Sequence, residues 1–453
     1  MEQIVTKQRA FFHTRSTFPI KFRRKQLKKL KKALKAHEKL LFEAIYEDFR
    51  KSKFDTYTNE LALVYHDINE ALKKLPNWSR KKPVRTNLVN FPGKSYVIPE
   101  PLGVSLVIGA WNYPYQLSLT PMVAAMAAGC TVVLKPSELP SQTSAAMAQI
   151  ISETFPESYI TVVEGGIPET TQLLKQKFDK IFFTGSTTVG KIIYKAAAEH
   201  LTPVTLELGG KSPAFVTANC HLKRTAKRLI WGKFLNSGQT CIAPDYVMVD
   251  KRIEEEFLAL CKKEIDKERF SVGHGNYTQI INDRNLERLA SMIDPSKVYC
   301  GGTVDREART ISPTILQNVN FKDKVMQEEI FGPILPVIPY TDMDEAIARV
   351  RLLPRPLACY VFTKSNKVKK KVIHQIAFGG STVNDVVMHI ANSNLPFGGV
   401  GSSGMGNYHG EAGFKAFSFE KAILERSNLF ELPLKYFPQT KLKLWLIRQF
   451  FKF

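Results

Sequence analysis

The sequence predicts an α/β protein in which a doubly wound, mainly parallel sheet is followed by a second α/β unit. From Leu102 onward, short apolar runs alternate with amphipathic stretches, which is typical of parallel strands joined by crossover helices. The alternation pauses at Gly209-Gly210 and then resumes, which predicts a boundary there. The chain has 453 residues, too many for one hydrophobic core, so more than one unit is expected.

Residues 19–82 are predicted to form helices that end near Pro76 and Pro83, and residues 86–98 a hairpin that turns at 91–93. The first unit is predicted to contain strands at 104–108, 131–134, 160–163, 180–183 and 204–208, with helices up to 128 and at 141–154, 168–176 and 188–200. The second is predicted to contain strands at 213–216, 245–249, 334–338 and 358–362, with helices at 221–235, 252–265, 343–350 and 366–375. The Gly-rich segment 396–410 is predicted to be an ordered loop.

The charge bears on whether the protein binds nucleic acid, and the cysteine content bears on metal sites, disulfides and cellular location. The formal charge is +22, and much of it lies in residues 21–35, where leucines at helical spacing indicate an amphipathic surface helix. We favour a solvated helix face over a nucleic-acid site, because the segment has no interleaved aromatic platform and no recognised nucleic-acid motif, while attraction to anionic surfaces stays open. The six cysteines are spread widely, so we expect neither a metal site nor a disulfide framework, and a cytoplasmic location.

A cysteine follows a predicted helix at Asn236-Ser-Gly-Gln-Thr-Cys241, with Gly238 as a helix stop. On a loop, Cys241 could attack a substrate if its surroundings lower its pKa or supply a base. On residue type alone, a small buried hydrophobe is the favoured interpretation, because buried cysteines are common. Cys261, in contrast, lies on an apolar helix face and is predicted to be core.

Two strand ends could hold a nucleotide. Gly185 to Gly190 follows a strand and opens a helix, so its backbone and Ser186 could contact phosphates, although Thr187 replaces the second glycine of the usual motif. Lys135 and Glu138 follow another strand and could bind the hydroxyls of an adenosine ribose. An ordinary turn and a solvated loop are the alternatives.

Three further strand ends carry polar side chains. Glu207 ends a core strand, where a carboxylate is costly unless it is ion-paired or acts as a general base. Asn112 follows the first strand of the sheet and could donate to an oxyanion, or could simply form a turn with its proline. Glu329 and Phe331 offer a carboxylate and an aromatic face, or an exposed turn.

Seven motifs in order resemble the aldehyde dehydrogenase superfamily over about residues 20–425. They are WNYP (111–114), LKPSE (134–138), FTGSTTVG (183–190), ELGGKSP (207–213), NSGQTC (236–241), EEIFGP (328–333) and LPFGGVGSSGMGNYHG (395–410). The short amino terminus, the hairpin and the last motif are most similar to the class 3, fatty-aldehyde-type branch. The resemblance implies an aldehyde dehydrogenase-like fold with a Rossmann-type sheet, a catalytic α/β domain and a bridging hairpin.

The resemblance also implies roles for the candidate residues. Cys241 would attack the aldehyde carbon, the Asn112 amide and the Cys241 N–H would bind the oxyanion, and Glu207 would activate the water that hydrolyses the thioester. Lys135 and Glu138 would hold the adenosine ribose, and Gly185, Ser186 and Gly190 the phosphates. Glu329 would bind the nicotinamide ribose, with Phe331 beside the nicotinamide. The acidic Glu138 favours NAD, with NADP possible.

The resemblance divides the chain into an NAD(P)-binding domain (1–83 and 99–208), a bridging element (84–98 and 411–430) and a catalytic domain (209–410). It implies a homodimer, although the segment from Lys415 departs from the family pattern. The basic, aromatic tail 431–453 could lie in a membrane interface through Trp445, Phe450 and Phe451, on the inner face of the membrane, or could dock on its own subunit.

Three functions are weighed. The leading one is NAD(P)-dependent oxidation of a hydrophobic, medium- or long-chain aldehyde to the carboxylic acid. A CoA-acylating relative is the alternative within enzymes, and Glu207 argues against it because such relatives tend to lack this base. A non-catalytic binding protein is disfavoured by the complete set of Asn112, Glu207 and Cys241.

Overall fold

A computed structural model of the chain describes residues 1–429, 431 and 433–452, without the side chain of Phe450. Of the predicted tail, Leu432, Phe453 and the Phe450 side chain therefore lie outside the described residues, as does Phe430 of the predicted bridging element. The chain divides into two compact units. The larger comprises Met1–Trp78 and Pro101–Phe419, and the smaller comprises Ser79–Glu100 and Glu420–Phe453.

The α-helices are numbered in chain order. They are α1 Glu2–His13, α2 Ile20–Ala36, α3 Glu38–Phe49, α4 Lys53–Thr56, α5 Ala62–Trp78, α6 Pro114–Ala128, α7 Ser141–Thr154, α8 Ile167–Leu174, α9 Thr187–Ala198, α10 Leu222–Phe234, α11 Glu254–Glu268, α12 Asp283–Ala290, α13 Met343–Arg351, α14 Asn366–Gln375, α15 Gly410–Ala416 and α16 Lys441–Phe450. A π-helical turn, Tyr57–Leu61, joins α4 to α5. No helix in the described part of the chain is long and apolar enough to cross a membrane.

The strands are likewise numbered in chain order. They are β1 Lys82–Val84, β2 Lys94–Pro101, β3 Val104–Ile108, β4 Thr131–Lys135, β5 Ile160–Val162, β6 Lys180–Thr184, β7 Val204–Glu207, β8 Pro213–Val216, β9 Tyr246–Asp250, β10 Val298–Cys300, β11 Val304–Asp305, β12 Thr310–Ile311, β13 Thr314–Leu316, β14 Ile334–Tyr340, β15 Ala358–Phe362, β16 Gly380–Val383, β17 Gly404–Met405 and β18 Ser418–Glu425.

The larger unit contains two mainly parallel sheets. The first has the order β17-β7-β6-β3-β4-β5, in which β17 alone is antiparallel to its neighbour. The second has the order β10-β13-β14-β9-β8-β15-β16, in which β10 alone is antiparallel. The chain passes from the first sheet to the second at Gly209-Gly210, between β7 and β8. The predicted α/β class is confirmed.

Central strands match the prediction best, because every residue of β3, β4, β6 and β8 is buried and apolar runs mark their ends. The predicted helix stop at Gly238 is wrong. Helix α10 ends at Phe234, and Asn236 and Ser237 then adopt left-handed backbone. Helix α5 also continues past Pro76 to Trp78.

The Gly-rich segment 396–410 is not only a loop. It contains β17, which pairs antiparallel with β7 and places Gly404 opposite Glu207. Phe397 and Tyr408 also pair with each other through their backbones. The prediction of a strand-free loop is therefore wrong, since two paired residues are too short to give a sequence pattern.

The smaller unit contains a three-stranded sheet of order β1-β2-β18. The hairpin predicted at 86–98 exists, but its first strand lies earlier, because Lys82–Val84 pairs with Ser95–Val97. Tyr96 donates to Glu425, and Lys421 pairs with Glu100, so side chains as well as backbone link β2 to β18.

Candidate active site

One cavity of about 750 Å³ in the larger unit brings the candidate residues together. It is lined by Asn112, Lys135, Glu138, Gly185, Ser186, Glu207, Cys241, Glu329 and Phe331. They come from the carboxyl ends of β3, β4, β6 and β7 and from two loops of the second sheet. Gly190 does not line the cavity. A Cβ there would lie 2.7 Å from Leu208 Cδ2, so its glycine lets α9 pack closely against the end of β7.

A strained turn presents Cys241. Asn236 and Ser237 both have φ of 53°, a left-handed conformation that non-glycine residues adopt only when their surroundings enforce it. The Ser237 hydroxyl donates to the Thr278 carbonyl oxygen at 2.6 Å, and the Gln239 side chain bonds to the backbone of Gln279 and Ile281. These buried bonds fix the backbone that leads to the cysteine.

The Cys241 thiol lies close to two acids. Burial, followed by the carboxylates of Glu329 and Glu207, raises the pKa of Cys241 to about 12. The surroundings therefore do not stabilise a thiolate. Of the two alternatives set out from the sequence, a lowered thiol pKa is not found, so a nearby base or a cationic ligand must make the thiolate available. Cys241 does line the cavity, whereas Cys261 is fully buried in the core, as predicted.

Asn112 is held on the turn between β3 and α6. The Asn112 side-chain amide donates to the Gln239 backbone carbonyl oxygen at 3.0 Å. The Asn112 backbone carbonyl oxygen accepts from the Asn236 side-chain amide, also at 3.0 Å. An amide nitrogen carries two N–H groups, so one remains for an oxyanion in the cavity. The turn residues Asn112 and Gln239 therefore form one rigid assembly.

Glu207 at the end of β7 is buried, and among the described residues neither carboxylate oxygen has a hydrogen-bond partner. The structural ion pair considered from the sequence is not formed with any of them. Burial alone raises the pKa of Glu207 well above its usual value. A carboxylate kept in this costly state beside a nucleophile suits a general base.

The turn after β6 leads directly into a helix, as predicted. Ser186 caps α9 by accepting from the Val189 N–H at 3.3 Å, and Thr187 donates from its hydroxyl to the Ser402 carbonyl oxygen. Ser186, Thr187 and Thr188 all line the cavity, which therefore contains the positive end of the α9 dipole.

Lys135 and Glu138 lie together at the end of β4. Lys135 is buried and its ammonium is 3.8 Å from a Glu138 oxygen, while the Glu138 side chain is 48% exposed. Burial lowers the pKa of Lys135, and the nearby acids oppose that shift. A buried donor next to an accessible acceptor can bind vicinal hydroxyls.

The loop before β14 places Glu329 and Phe331. Glu329 accepts from the Gly210 N–H, and burial followed by Asp245 raises its pKa to about 8. Lys211 holds this loop by donating to the Glu328 carbonyl oxygen at 2.8 Å and pairing with Asp245. The rings of Phe331 and Trp111 pack edge to face with their centroids 5.2 Å apart, and this contact closes one side of the cavity.

Sequence reasoning missed several residues that build the site, namely Asn236, Gln239, Thr240, Lys211 and Tyr408. All are within quoted motifs, but their partners lie far along the chain. Tyr408 lines the cavity with a hydroxyl that has no partner among the described residues. Asn is enriched in left-handed backbone, so the residue type of Asn236 is compatible with its conformation without predicting it.

Comparison with known proteins decides the family. The model of the aldehyde dehydrogenase family matches residues 1–423 of this chain. The chain belongs to the aldehyde dehydrogenase family. It is an NAD(P)-dependent oxidoreductase that converts aldehydes to acids.

The dehydrogenase is 43% identical to 4,4'-diaponeurosporen-aldehyde dehydrogenase of Staphylococcus aureus (strain NCTC 8325 / PS 47), with 100% of this chain and 99% of the relative covered. It is 45% identical to the dimeric, NADP-preferring aldehyde dehydrogenase of Mus musculus, covering 94% and 95%. A solved structure, "Substrate bound state of Staphylococcus Aureus AldH", matches with a TM-score of 0.97 at 43% identity, covering 100% and 99%.

The cavity of the dehydrogenase fits a dinucleotide. Its lining includes the Lys135–Glu138 pair, the amino terminus of α9, Glu329 and Phe331, and Glu329 lies close enough to Cys241 to raise the pKa of the thiol. Cavities of roughly 300–1,000 Å³ are typical of small-molecule sites. The donor set therefore suits ribose hydroxyls and phosphates.

Proposed function

We propose that the dehydrogenase oxidises a hydrophobic, medium- or long-chain aldehyde and releases the free acid by hydrolysis. The observation that carries this proposal is the buried Glu207 carboxylate, unpartnered among the described residues, in the same cavity as Cys241. Such a group is costly to fold around, and its value lies in accepting a proton from a reacting water.

The cysteine carries the substrate. The Cys241 thiol gives its proton to solvent water, the resulting thiolate sulfur forms a bond to the aldehyde carbon, and the carbonyl π electrons move to oxygen. The free N–H of the Asn112 amide and the Cys241 backbone N–H stabilise that oxyanion. When the oxyanion collapses, the carbon–hydrogen bond breaks and a thioester remains on Cys241. The chemistry that the bound dinucleotide supplies is acceptance of this hydride.

Glu207 completes the reaction. Its carboxylate takes a proton from water, whose oxygen attacks the thioester carbon. The carbon–sulfur bond then breaks, the acid leaves, and the sulfur takes up the proton from Glu207, so that the Cys241 thiol and the Glu207 carboxylate are both regenerated. Burial raises the pKa of Glu207, which makes its carboxylate a stronger proton acceptor than an exposed one.

The coenzyme is held at several points. Lys135 and Glu138 bind the adenosine ribose, Gly185 and Ser186 at the start of α9 bind the phosphates, and Glu329 binds the nicotinamide ribose. We propose that NAD is preferred and NADP is accepted, because the half-exposed Glu138 carboxylate opposes a 2′-phosphate. The mouse relative is named NADP-preferring, which makes this preference a point to measure.

The cavity also offers apolar side chains. Its lining includes Leu63, Leu117, Ile390 and Phe397, which suit a hydrocarbon chain. The Staphylococcus aureus relative is named a 4,4'-diaponeurosporen-aldehyde dehydrogenase, which supports an aldehyde of that kind as one substrate class.

A panel of aldehydes tests both substrate and product. Saturated aldehydes of increasing chain length and long polyunsaturated aldehydes are each assayed with NAD and with NADP, in the presence and absence of CoA. We expect kcat/KM to rise with chain length and the free acid to form whether or not CoA is present. A preference for short aldehydes would refute the substrate class, and an acyl-CoA product would show CoA-acylating chemistry.

We propose a homodimer in the cytoplasm, by analogy with the relative named dimeric and because all six cysteines are free thiols. Sedimentation equilibrium measures the assembly: a mass near 51.2 kDa, that of one chain, would refute the dimer. Fractionation of cells measures the location, with peripheral association on the inner face of the membrane as the proposed minor pool.

We propose that the carboxyl-terminal helix α16 makes this membrane contact. Its Leu442, Leu444 and Trp445 side chains are exposed, as is Phe451 beyond it, among cations at Lys441, Lys443 and Arg448. Amphipathic, basic helices of this kind bind anionic lipid surfaces. The full-length protein is expected to co-sediment with anionic vesicles at low salt, whereas Trp445→Ala/Phe451→Ala binds less. Equal sedimentation with uncharged vesicles, or none, would refute the contact.

A further inference from the structure

Lys51 and Glu60 form an ion pair inside the larger unit. Their nitrogen and oxygen are 2.6 Å apart, and both side chains are 0% exposed. Lys51 follows the end of α3, and Glu60 lies on the π-helical turn that precedes α5. Burying such a pair gains little stability over an apolar pair, and single-turn π-helices frequently occur at functional sites.

Glu60 caps the helix that follows Asn112. Helix α6 begins at Pro114, and its amino end has no side-chain cap from its own N-cap residue, Tyr113. The second oxygen of Glu60 accepts from the backbone N–H of Tyr115 at 2.7 Å and from that of Gln116 at 3.4 Å. A remote carboxylate therefore takes the place of the local cap and stabilises the positive end of the α6 dipole.

Lys51 contacts Tyr113, the residue that precedes α6. Its ammonium lies 4.1 Å from the centroid of the Tyr113 ring, a cation–π contact. The Tyr113 hydroxyl is in turn 2.7 Å from the Thr240 hydroxyl, next to Cys241. Asn112, one residue before Tyr113, is thus fixed both to the buried ion pair and to the cysteine loop.

We propose that Lys51 and Glu60 are positioning residues for oxidation of the aldehyde, which act by holding the Asn112 amide where the oxyanion forms. The inference rests on the proposed oxyanion role of Asn112. Burial raises the pKa of Glu60, while Lys51 and the two backbone N–H groups of α6 oppose the shift and favour the carboxylate. The ion pair and the hydrogen bonds to α6 therefore both favour the charged form of Glu60.

A double-mutant cycle tests the inference. Glu60→Gln is made in the natural sequence and in Asn112→Ala, and kcat and KM are measured for the same aldehyde. Because a small misplacement of an oxyanion donor is costly, we expect Glu60→Gln to lower kcat by about 10- to 100-fold in the natural sequence. In Asn112→Ala, where the donor is already lost, the decrease should be less than about threefold.

The outcomes separate the inference from the proposed function. An equal decrease in both backgrounds would show that Glu60 acts independently of Asn112 and would overturn the inference. If Asn112→Ala itself leaves kcat unchanged, the proposed oxyanion role fails, and the inference falls with it. A rise in KM for the aldehyde with constant kcat would likewise overturn it.

Two variants guard against a merely structural effect. Asp179→Asn changes a partly buried acid that pairs with Arg9 and accepts from the Val104 N–H. This acid lies at the start of β3, the opposite end of the strand from Asn112, so kcat should not change. A similar decrease in kcat there would overturn the inference. If Glu60→Gln does not fold, Glu60→Asp keeps the charge but withdraws it from the Tyr115 N–H. It should show the same dependence on Asn112.

Discussion

The backbone N–H of Gly185 donates to the carbonyl oxygen of Glu207 at 3.0 Å. The turn proposed to bind phosphates and the proposed general base are therefore held side by side at the ends of two adjacent parallel strands, β6 and β7. This arrangement explains why two distant motifs serve one cavity, since parallel strands end at the same edge of a sheet.

Removing the base should separate the two halves of the reaction. Glu207→Gln keeps the shape of the side chain but cannot accept a proton, so steady-state kcat should fall about 10²- to 10⁴-fold. A rapid-mixing assay should still show a first turnover of NAD(P)H, followed by slow turnover. Glu255→Gln, an exposed acid in the first turn of α11, is the control and should keep full activity. Loss of the first turnover would contradict the assigned role.

The same substitution should stabilise the fold at alkaline pH. Burial raises the pKa of Glu207 above its unfolded value, so the stability of the natural protein is lost as the pH rises through that folded-state pKa. The neutral amide of Glu207→Gln avoids this loss. Its Tm should exceed that of the natural protein at about pH 8.5, and the difference should shrink by about pH 5. A pH-independent difference, measured by calorimetry, would contradict this explanation.

The pH dependence of thiol alkylation reports the charges around Cys241. Without dinucleotide, iodoacetamide should react slowly near neutral pH, because the pKa of the thiol is about 12. Glu329 raises that pKa and itself ionises at about 8. Glu329→Gln should therefore react faster than the natural protein at about pH 9 and equally at about pH 6.5. Glu328→Gln is the control, and faster reaction there would show a general effect of charge.

Lys211 should act through the loop that carries Glu329. Lys211→Met removes the bonds to the Glu328 and Val325 carbonyl oxygens and leaves Asp245 without its cation. We expect the KM of the dinucleotide to rise about tenfold, equivalent to ~1.4 kcal/mol, with a smaller change in the KM of the aldehyde. Lys297→Met, which breaks a comparable pair with Asp323, should leave both KM values unchanged.

The sequence indicated the architecture well where burial dominates. The runs at 104–108, 213–216 and 358–362 coincide with β3, β8 and β15, because fully buried parallel strands give short apolar runs bounded by turn residues. The strands between 298 and 316 were missed, since they are two or three residues long and lack such a pattern.

Only part of the candidate site could be predicted from the sequence. Motifs placed Asn112, Glu207 and Cys241, and the structure brings them to one cavity. The sequence could not show that Lys51 pairs with Glu60, or that Asn236 holds Asn112 from 124 residues away, because long-range partners leave no local pattern. Nor could it show that the acids near Cys241 raise its pKa, which depends on folded distances.

Strand β17 has a consequence for dissection of the enzyme. Its Gly404 and Met405 pair with Glu207 and Leu206, so the sheet assembled by residues 104–207 receives its edge strand from nearly 200 residues later in the chain. A fragment cut after Gly210 would expose the bare edge of β7, a surface prone to pair with other chains. We therefore expect the fragment 1–210, expressed alone, to aggregate, and its folding during synthesis to wait for the carboxyl-terminal half.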